Sequence, residues 1–145
     1  MHITSEKITL EEFFSHSPDP RSGAMAAFVG MVRNHDHGSK VQELYYECYI
    51  PMANKQIASL ILEVKTKWPV EDIRVLHRVG VLKIGETAVA IAVNSSHRPE
   101  AFAACRFMIE RIKTEVPIWK KQIFEDGSSE WALCSHSEHP AEISL

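Results

Sequence analysis

The sequence predicts an α+β fold, because helical and strand-like segments mix along its 145 residues without a regular strand–helix alternation. Apolar residues recur at helical spacing over residues 52–68 and 101–116. Several shorter apolar or alternating runs are typical of strands. The composition, with 45% hydrophobic and 24% charged residues, is that of a globular protein. We expect one domain over residues 1–135 and a C-terminal tail over residues 136–145.

The first half of the chain is predicted to open with a short helix that is followed by two strands. The helix begins at Thr9, where Glu12 completes a capping box. A run of small and apolar residues over 23–32 indicates a buried strand, and an aromatic-rich run over 41–49 indicates a second one. The polar residues 34–39 between them predict a loop. The long helix over residues 52–68 follows.

The second half is predicted to contain four strands around the second long helix. Strands are expected over residues 73–79 and 87–94, and the alternating valine, isoleucine and alanine residues of 87–94 indicate burial on both faces. The helix over residues 101–116 follows. Beyond it, residues 118–124 and 131–135 read as extended segments.

Charge and composition exclude several classes of protein. A net charge of −3 argues against a broad nucleic-acid-binding surface, and no apolar run approaches the roughly 20 residues of a membrane span. The first ten residues lack the apolar core of a signal peptide. The three cysteines, Cys48, Cys105 and Cys134, are widely spaced and form no CxxC pair. These features predict a protein of the reducing cytoplasm.

Two lysines seven residues apart, Lys113 and Lys120, are the most informative feature of the chain. Pro117 between them ends the helix, because proline lacks an N–H donor and biases the preceding residue toward an extended conformation. The second lysine therefore lies on the segment that leaves the helix, and the two ammonium groups could converge. Two neighbouring cations lower each other's pKa, which would let one lysine act as a base or nucleophile.

The start of the same helix offers a second cationic feature. His97 and Arg98 precede Pro99, a residue favoured in the first helical turn. A helix N-terminus with such neighbours suits an anion. Together with the lysines it predicts a pocket for a small anionic substrate.

Spacing alone leaves simpler interpretations open. Lys113 and Lys120 could be solvated residues near a helix end, where cations suit the helix dipole. In an extended strand Lys120 and Gln122 share one face and Lys121 faces the other way, so the pattern does not say which adjacent lysine reaches a site. Arg33, which ends the strand over 23–32, could be a binding residue or a surface arginine.

The histidines and cysteines do not predict a metal site or a nucleophile. His35-x-His37 and His136-x-x-His139 lack cysteine or carboxylate partners at metal-site spacing. His77 reads as a structural histidine within a strand. Cys105 falls on the apolar face of the second long helix, where a core role is favoured over catalysis.

Five segments in order resemble the large, catalytic subunit of molybdopterin synthase, the MoaE family. They are GAMAAFVGMVRNHDHG, LYYECYIPMA, LHRVGVLKIGE, SSHRPEAFAACRFMIERIK and VPIWKKQ. The resemblance runs from about Gly23 to Trp131. It implies an α/β-hammerhead fold with an additional antiparallel β subdomain.

The resemblance also implies a sulfurtransferase of molybdenum cofactor biosynthesis. Such an enzyme converts cyclic pyranopterin monophosphate, called precursor Z, into molybdopterin by installing a dithiolene. The sulfur comes from the C-terminal thiocarboxylate of a small ubiquitin-like, MoaD-like subunit. Two large subunits form a homodimer within a heterotetramer. No cofactor, nucleic acid or membrane takes part.

The resemblance assigns roles to individual residues. Lys113 and Lys120 match the catalytic lysines, and His97 and Arg98 match an anion-binding pair that reaches the site across the dimer interface. The remaining matches are substrate contacts or pocket-lining residues: Phe28, Met31, Val32, Arg33, Lys120, Lys121 and Gln122. One position departs from the pattern, since the family usually has glutamate where this chain has Gln122. Glutamine keeps the hydrogen bonding but loses the charge that could hold a lysine.

Two other functions are compatible with the same residues. The cationic pocket could belong to a non-catalytic module that binds a phosphorylated ligand or the acidic tail of a partner. A cysteine-based persulfide carrier would instead depend on Cys105.

Overall fold

The computed structural model describes residues 1–133, which form two β-sheets and three helices. The strands are β1 (Ile3–Thr4), β2 (Ala24–Met31), β3 (His35–Asp36), β4 (Ser39–Cys48), β5 (Val70–Arg78), β6 (Gly80–Lys83), β7 (Thr87–Ser95), β8 (Ile118–Phe124) and β9 (Ser129–Leu133). The helices are α1 (Leu10–Phe13), α2 (Ile50–Lys67) and α3 (Arg98–Glu115).

The first sheet is built around β7, in the order β1-β5-β7-β2. Every residue of β7 is buried, because helices cover one face of the sheet and the segment around α1 covers the other. Val89, Ile91 and Val93 pack with α2 and α3, whereas Ala90 and Ala92 lie under Ile8 and Phe13. The alternation of large and small residues along β7 thus fits a thick helical layer on one side and a thin cover on the other.

The second sheet has the order β3-β4-β8-β9, and β6 also pairs with β4. Its strands are antiparallel to one another. The register of β4 and β8 places Cys48 opposite Ile118, and Tyr46 opposite Lys120. Pro117 separates α3 from β8, so the chain enters the second sheet directly from the end of the helix.

The structure confirms the predicted α+β class, both long helices and most strands. The second sheet corresponds to the additional β subdomain, and the predicted burial of residues 87–94 on both faces is confirmed by β7. The extended segment predicted to end at residue 135 is described only as far as Leu133. The tail expected over residues 136–145 lies outside the described residues.

Three local predictions were wrong. The run over residues 23–32 forms β2, but β2 is an edge strand with exposed side chains, among them Met31 at 65% exposure. Thr9 is the N-cap of α1 without a side-chain cap hydrogen bond, so no capping box forms. The predicted loop over 34–39 contains a short hairpin in which β3 pairs with the start of β4.

Burial along α2 predicts which of its residues stabilise the domain. Ile57 is fully buried in the main core, whereas Leu62 on the same helix is 67% exposed. We expect Ile57→Ala to lower the free energy of unfolding by about 2–5 kcal/mol, because it removes buried methylene groups and leaves a cavity. The matched variant Leu62→Ala should change it by less than about 0.5 kcal/mol. Urea unfolding followed by circular dichroism measures both, and equal losses would contradict this assignment of the core.

Candidate functional site

A small cavity of about 80 Å³ lies where the end of α3 meets both sheets. Its floor is apolar, and two polar side chains, His77 and Lys113, line it together with Tyr46. A wider cleft of about 550 Å³ adjoins it and shares Phe28 and Lys113. The site therefore combines a narrow apolar recess with a lysine at its mouth.

Lys113 is placed by the end of α3. Ile112 and Val116 on either side of it are buried, which anchors the last helical turn against the core. Val116 is the C-cap residue and has extended backbone angles, as expected before Pro117. The anchored turn leaves Lys113 half-buried and facing the cavity.

His77 is the buried neighbour of Lys113. Its ring Nδ1 lies 2.9 Å from the carbonyl oxygen of Arg78, and the ring meets that of Tyr46 edge-on at 5.2 Å between centroids. Burial lowers the pKa of His77 to about 4, with a further contribution from the charge of Lys113 and despite the hydrogen bond to Arg78. The structural role predicted for His77 is confirmed, but sequence reasoning missed that it lines the cavity.

Lys120 approaches the same region from β8. Residues directly opposite each other in an antiparallel pair present their side chains on the same face, and Lys120 is opposite Tyr46. Lys121 extends from the other face, with its ammonium 5.7 Å from the ring centroid of Trp131. Strand alternation thus places Lys120, rather than Lys121, on the Tyr46 side of the sheet.

A carboxylate that sequence reasoning did not single out, Asp36, lies beside this face. Gln122 donates its Nε2–H to Asp36 Oδ2 at 2.9 Å, and Arg33 Nη2 lies 3.2 Å from Asp36 Oδ1. Partial burial acts to raise the pKa of Asp36, but the Gln122 hydrogen bond and the charges of His37, Lys120 and Arg33 together lower it. Asp36 and Gln122 are 86 positions apart in the sequence, and this separation left no sequence signal for their contact.

Three other predicted residues on or after β2 occupy different environments. Phe28 and Met31 line the cavity while remaining partly exposed. Val32 is 3% exposed and packs in the core of the second sheet. Its backbone N–H donates to Glu86 and its carbonyl oxygen accepts from Gly85, so both main-chain groups have partners within the fold.

His97 and Arg98 lie at the opposite end of α3 from Lys113. The 15 residues between Arg98 and Lys113 correspond to about 22 Å along a helix axis, and within one chain the two ends do not meet. His97 and Arg98 are exposed and line a separate cleft with Gly23. A side chain at Gly23 could not be accommodated, since an added Cβ would lie 2.5 Å from the carbonyl oxygen of Ser96.

Other candidate groups do not join the site. In the part of the chain that the structure describes, no three His, Cys, Asp or Glu side chains come together in a way that could hold a metal ion. The His136 and His139 pair lies outside that part. Cys105 is in the main core, as predicted, and burial raises the pKa of its thiol.

Among residues 1–133 no helix is both long and apolar enough to cross a membrane.

The arrangement can bind an anion beside an apolar surface. Lys113 lines the cavity with Tyr46, and Lys120 lies directly opposite Tyr46 on β8. Arg33 pairs with Asp36, whose carboxyl also feels the charge of Lys120. Cationic donors of this kind bind phosphate and carboxylate groups, and a lysine can also transfer a proton.

Comparisons with known proteins identify relatives along most of the chain. The family model described as MoaE protein matches residues 3–115. The chain is 43% identical over 129 residues to a molybdopterin synthase catalytic subunit from Bos taurus, covering 89% of this chain and 68% of the relative. It is 44% identical over 131 residues to one from Thermoplasma volcanium, covering 90% and 96%.

A solved structure agrees with these sequence matches. The crystal structure of molybdopterin synthase from Staphylococcus aureus superimposes with a TM-score of 0.84 at 44% identity. The match covers 90% of this chain and 95% of that chain. Similarity therefore extends through the fold as well as the sequence.

Burial of His77 predicts how the stability of the protein depends on pH. The folded pKa of about 4 lies below the ordinary value of 6.5, so the unfolded chain binds the proton more readily. The contribution of neutral His77 to the free energy of unfolding is therefore fully present above about pH 6.5. It decreases by about 3 kcal/mol as the pH drops toward 4.

The variant His77→Gln isolates that effect, because glutamine can still donate to the Arg78 carbonyl but does not titrate. Urea unfolding at a series of pH values should show the wild type losing more stability than the variant between pH 6.5 and 4. If the free energy of unfolding fell equally with pH in the wild type and in the variant, the assignment of a neutral, buried His77 would be contradicted.

Proposed function

The chain belongs to the MoaE family, and we propose that it acts as the catalytic, sulfur-transferring subunit of a molybdopterin synthase. In this proposal the substrate is cyclic pyranopterin monophosphate, and the product carries the dithiolene that binds molybdenum. Sulfur arrives on the C-terminal thiocarboxylate of a small ubiquitin-like subunit. The chain itself supplies binding groups and proton transfer.

The observation that carries the proposal is that Lys113 lines an apolar recess together with Tyr46, while Lys120 lies directly opposite Tyr46 on the paired strand β8. The apolar floor suits the flat ring system of a pterin, and the cations suit its phosphate. As thiocarboxylate sulfur bonds to a side-chain carbon of the substrate, an oxygen leaves that carbon and takes a proton that a positioned lysine can donate. Water then cleaves the thioester, which leaves the sulfur on the substrate and a carboxylate on the partner. Arg33 adds a fixed guanidinium for the phosphate.

No cysteine of the described residues takes part in the proposed reaction. Cys105 is buried and its thiol has a raised pKa, which suppresses the reactive thiolate. Cys48 is half-buried, and its pKa is also raised by burial. These features disfavour the persulfide-carrier alternative and leave the partner as the source of sulfur.

We further propose that His97 and Arg98 serve the site of a second copy of the chain. Their cleft at the start of α3 is too far from Lys113 for the same molecule to use both. In a symmetric dimer each subunit can lend its helix start to the partner's lysines. The small subunits would then complete a heterotetramer.

We propose the cytoplasm as the location of the reaction. Cys48 and Cys105 are both free thiols in the structure, which suits a reducing compartment.

The two lysines provide the direct test of the proposed chemistry. We expect Lys113→Ala and Lys120→Ala each to lower dithiolene formation by about 100-fold or more, because each removes a proton-transfer or anchoring group from the site. Formation of the product is measured with purified chain, precursor Z and thiocarboxylated small subunit. Lys65→Ala, an exposed lysine on α2, is the matched control and should stay fully active.

Binding of the small subunit, measured by calorimetry, distinguishes catalysis from a binding module. The synthase proposal requires lysine variants that bind the partner but form no product. Lysine variants that turn over as fast as the wild type would contradict it, and a wild-type chain that binds partner and substrate without turnover would favour the binding module.

Mixing inactive subunits tests whether two chains share each site. Lys113→Ala and Arg98→Ala homodimers should both be impaired, because each lacks one half of every site. After the two are unfolded together and refolded, half of the dimers are mixed and each contains one intact site, so about a quarter of wild-type activity should return. No recovery despite mixed dimers, detected with different affinity tags, would contradict a site shared across the interface.

A further inference from the structure

We propose that Asp36 is the residue that positions Lys120 and Arg33, and that the side-chain amide of Gln122 holds the Asp36 carboxylate in place for this task. The consequence for catalysis depends on the proposed function, but the arrangement itself can be measured without turnover.

The contacts of Asp36 use both of its carboxylate oxygens. Oδ2 accepts the hydrogen bond from Gln122, and Oδ1 lies 3.2 Å from Arg33 Nη2 and 3.5 Å from His37 Nε2. The side chain of Asp36 is only 18% exposed, and Gln122 is 8% exposed. A hydrogen bond shielded from water in this way fixes the orientation of the carboxylate better than an exposed one.

Lys120 lies on the same face of β8 as Gln122, because the two are separated by one residue. Its positive charge and that of Arg33 act on the Asp36 carboxyl and lower its pKa. Asp36 is therefore ionised at neutral pH, and it lies among cations that outnumber it. The cluster keeps a net positive charge while its cations have a common anchor.

Anchoring matters because lysine and arginine side chains have many rotamers. Ordering such a side chain costs about 1.5–2 kcal/mol of conformational entropy. A carboxylate that is already fixed by Gln122 restrains Arg33 through their ion pair and attracts the charge of Lys120 before substrate binds, which lowers the cost of ordering these side chains later. Gln122 is uncharged, so the negative charge in this cluster comes from the hairpin residue Asp36 and not from β8.

Transferring the negative charge from position 36 to its hydrogen-bond partner at position 122 tests the proposal. Asp36→Asn keeps an acceptor for Gln122 but removes the charge, whereas the double variant Asp36→Asn/Gln122→Glu returns one carboxylate to the same hydrogen-bonded pair. Both exchanges leave side-chain size nearly unchanged. We expect Asp36→Asn to lower kcat/KM for precursor Z by about tenfold in the complex with thiocarboxylated small subunit.

The double variant should recover to within about threefold of the wild type, which a merely structural role for Asp36 would not produce. Glu43→Gln is the matched control, because Glu43 also pairs with a cation, Lys83, but lies on the face of β4 opposite to that of Tyr46 and lines neither the cavity nor the cleft of His97 and Arg98. Full activity of Asp36→Asn, or a double variant no more active than Asp36→Asn, would overturn the proposal.

A titration separates this proposal from the proposed function. The carboxyl carbon of Asp36, followed by NMR against pH, should titrate below the ordinary range in the wild type. Its pKa should rise in Lys120→Ala, which removes a positive charge, and in Gln122→Leu, which removes the hydrogen bond. An Asp36 pKa that is unchanged in both variants would overturn the proposal whether or not the wild type makes molybdopterin.

Discussion

The pairing register of β4 with β8 is the constraint on which the candidate site depends. It places Tyr46 opposite Lys120 and Leu44 opposite Gln122. The strand β8 begins directly after Pro117, at Ile118. A slip of one residue would exchange the faces of β8 and bring Lys121 to the Tyr46 side. The buried side chains of Ile118 and Gln122 oppose such a slip, because it would expose one and displace the other.

The two sheets contribute different properties to the site. The first sheet and its helices give a rigid, apolar floor and hold His77 neutral beside Lys113. The second sheet carries the polar network of Asp36 and Gln122 and the second lysine. Tyr46 packs against the hydrophobic cores of both sheets, so it connects the apolar floor of the cavity to the Asp36–Gln122 pair of the second sheet. The candidate site between the two sheets thus combines an apolar support from the first sheet with charged side chains from the second.

Sequence reasoning succeeded where the pattern is local. Helical spacing identified α2 and α3, alternation identified β7, and the role of Pro117 followed from its covalent structure. It failed where the answer depends on distant neighbours. Within residues 1–133 no strand covers the outer edge of β2, which its apolar run does not reveal, and the spacing around Asp36 does not reveal its contact with Gln122. Spacing and strand position singled out the lysines and Arg33, and the resemblance supplied their roles, but neither pointed to His77 or Asp36 as parts of the site.

The helix α3 has functional residues proposed at both of its ends, and this limits how the segment can change. Substitutions on its exposed surface leave the two ends where they are. A single inserted residue would lengthen the helix by about 1.5 Å and rotate Lys113 by about 100° relative to Arg98. The proposed sharing of sites between two chains therefore depends on the number of residues in α3 more than on the identity of its exposed residues, because that number sets the distance between the two groups of residues.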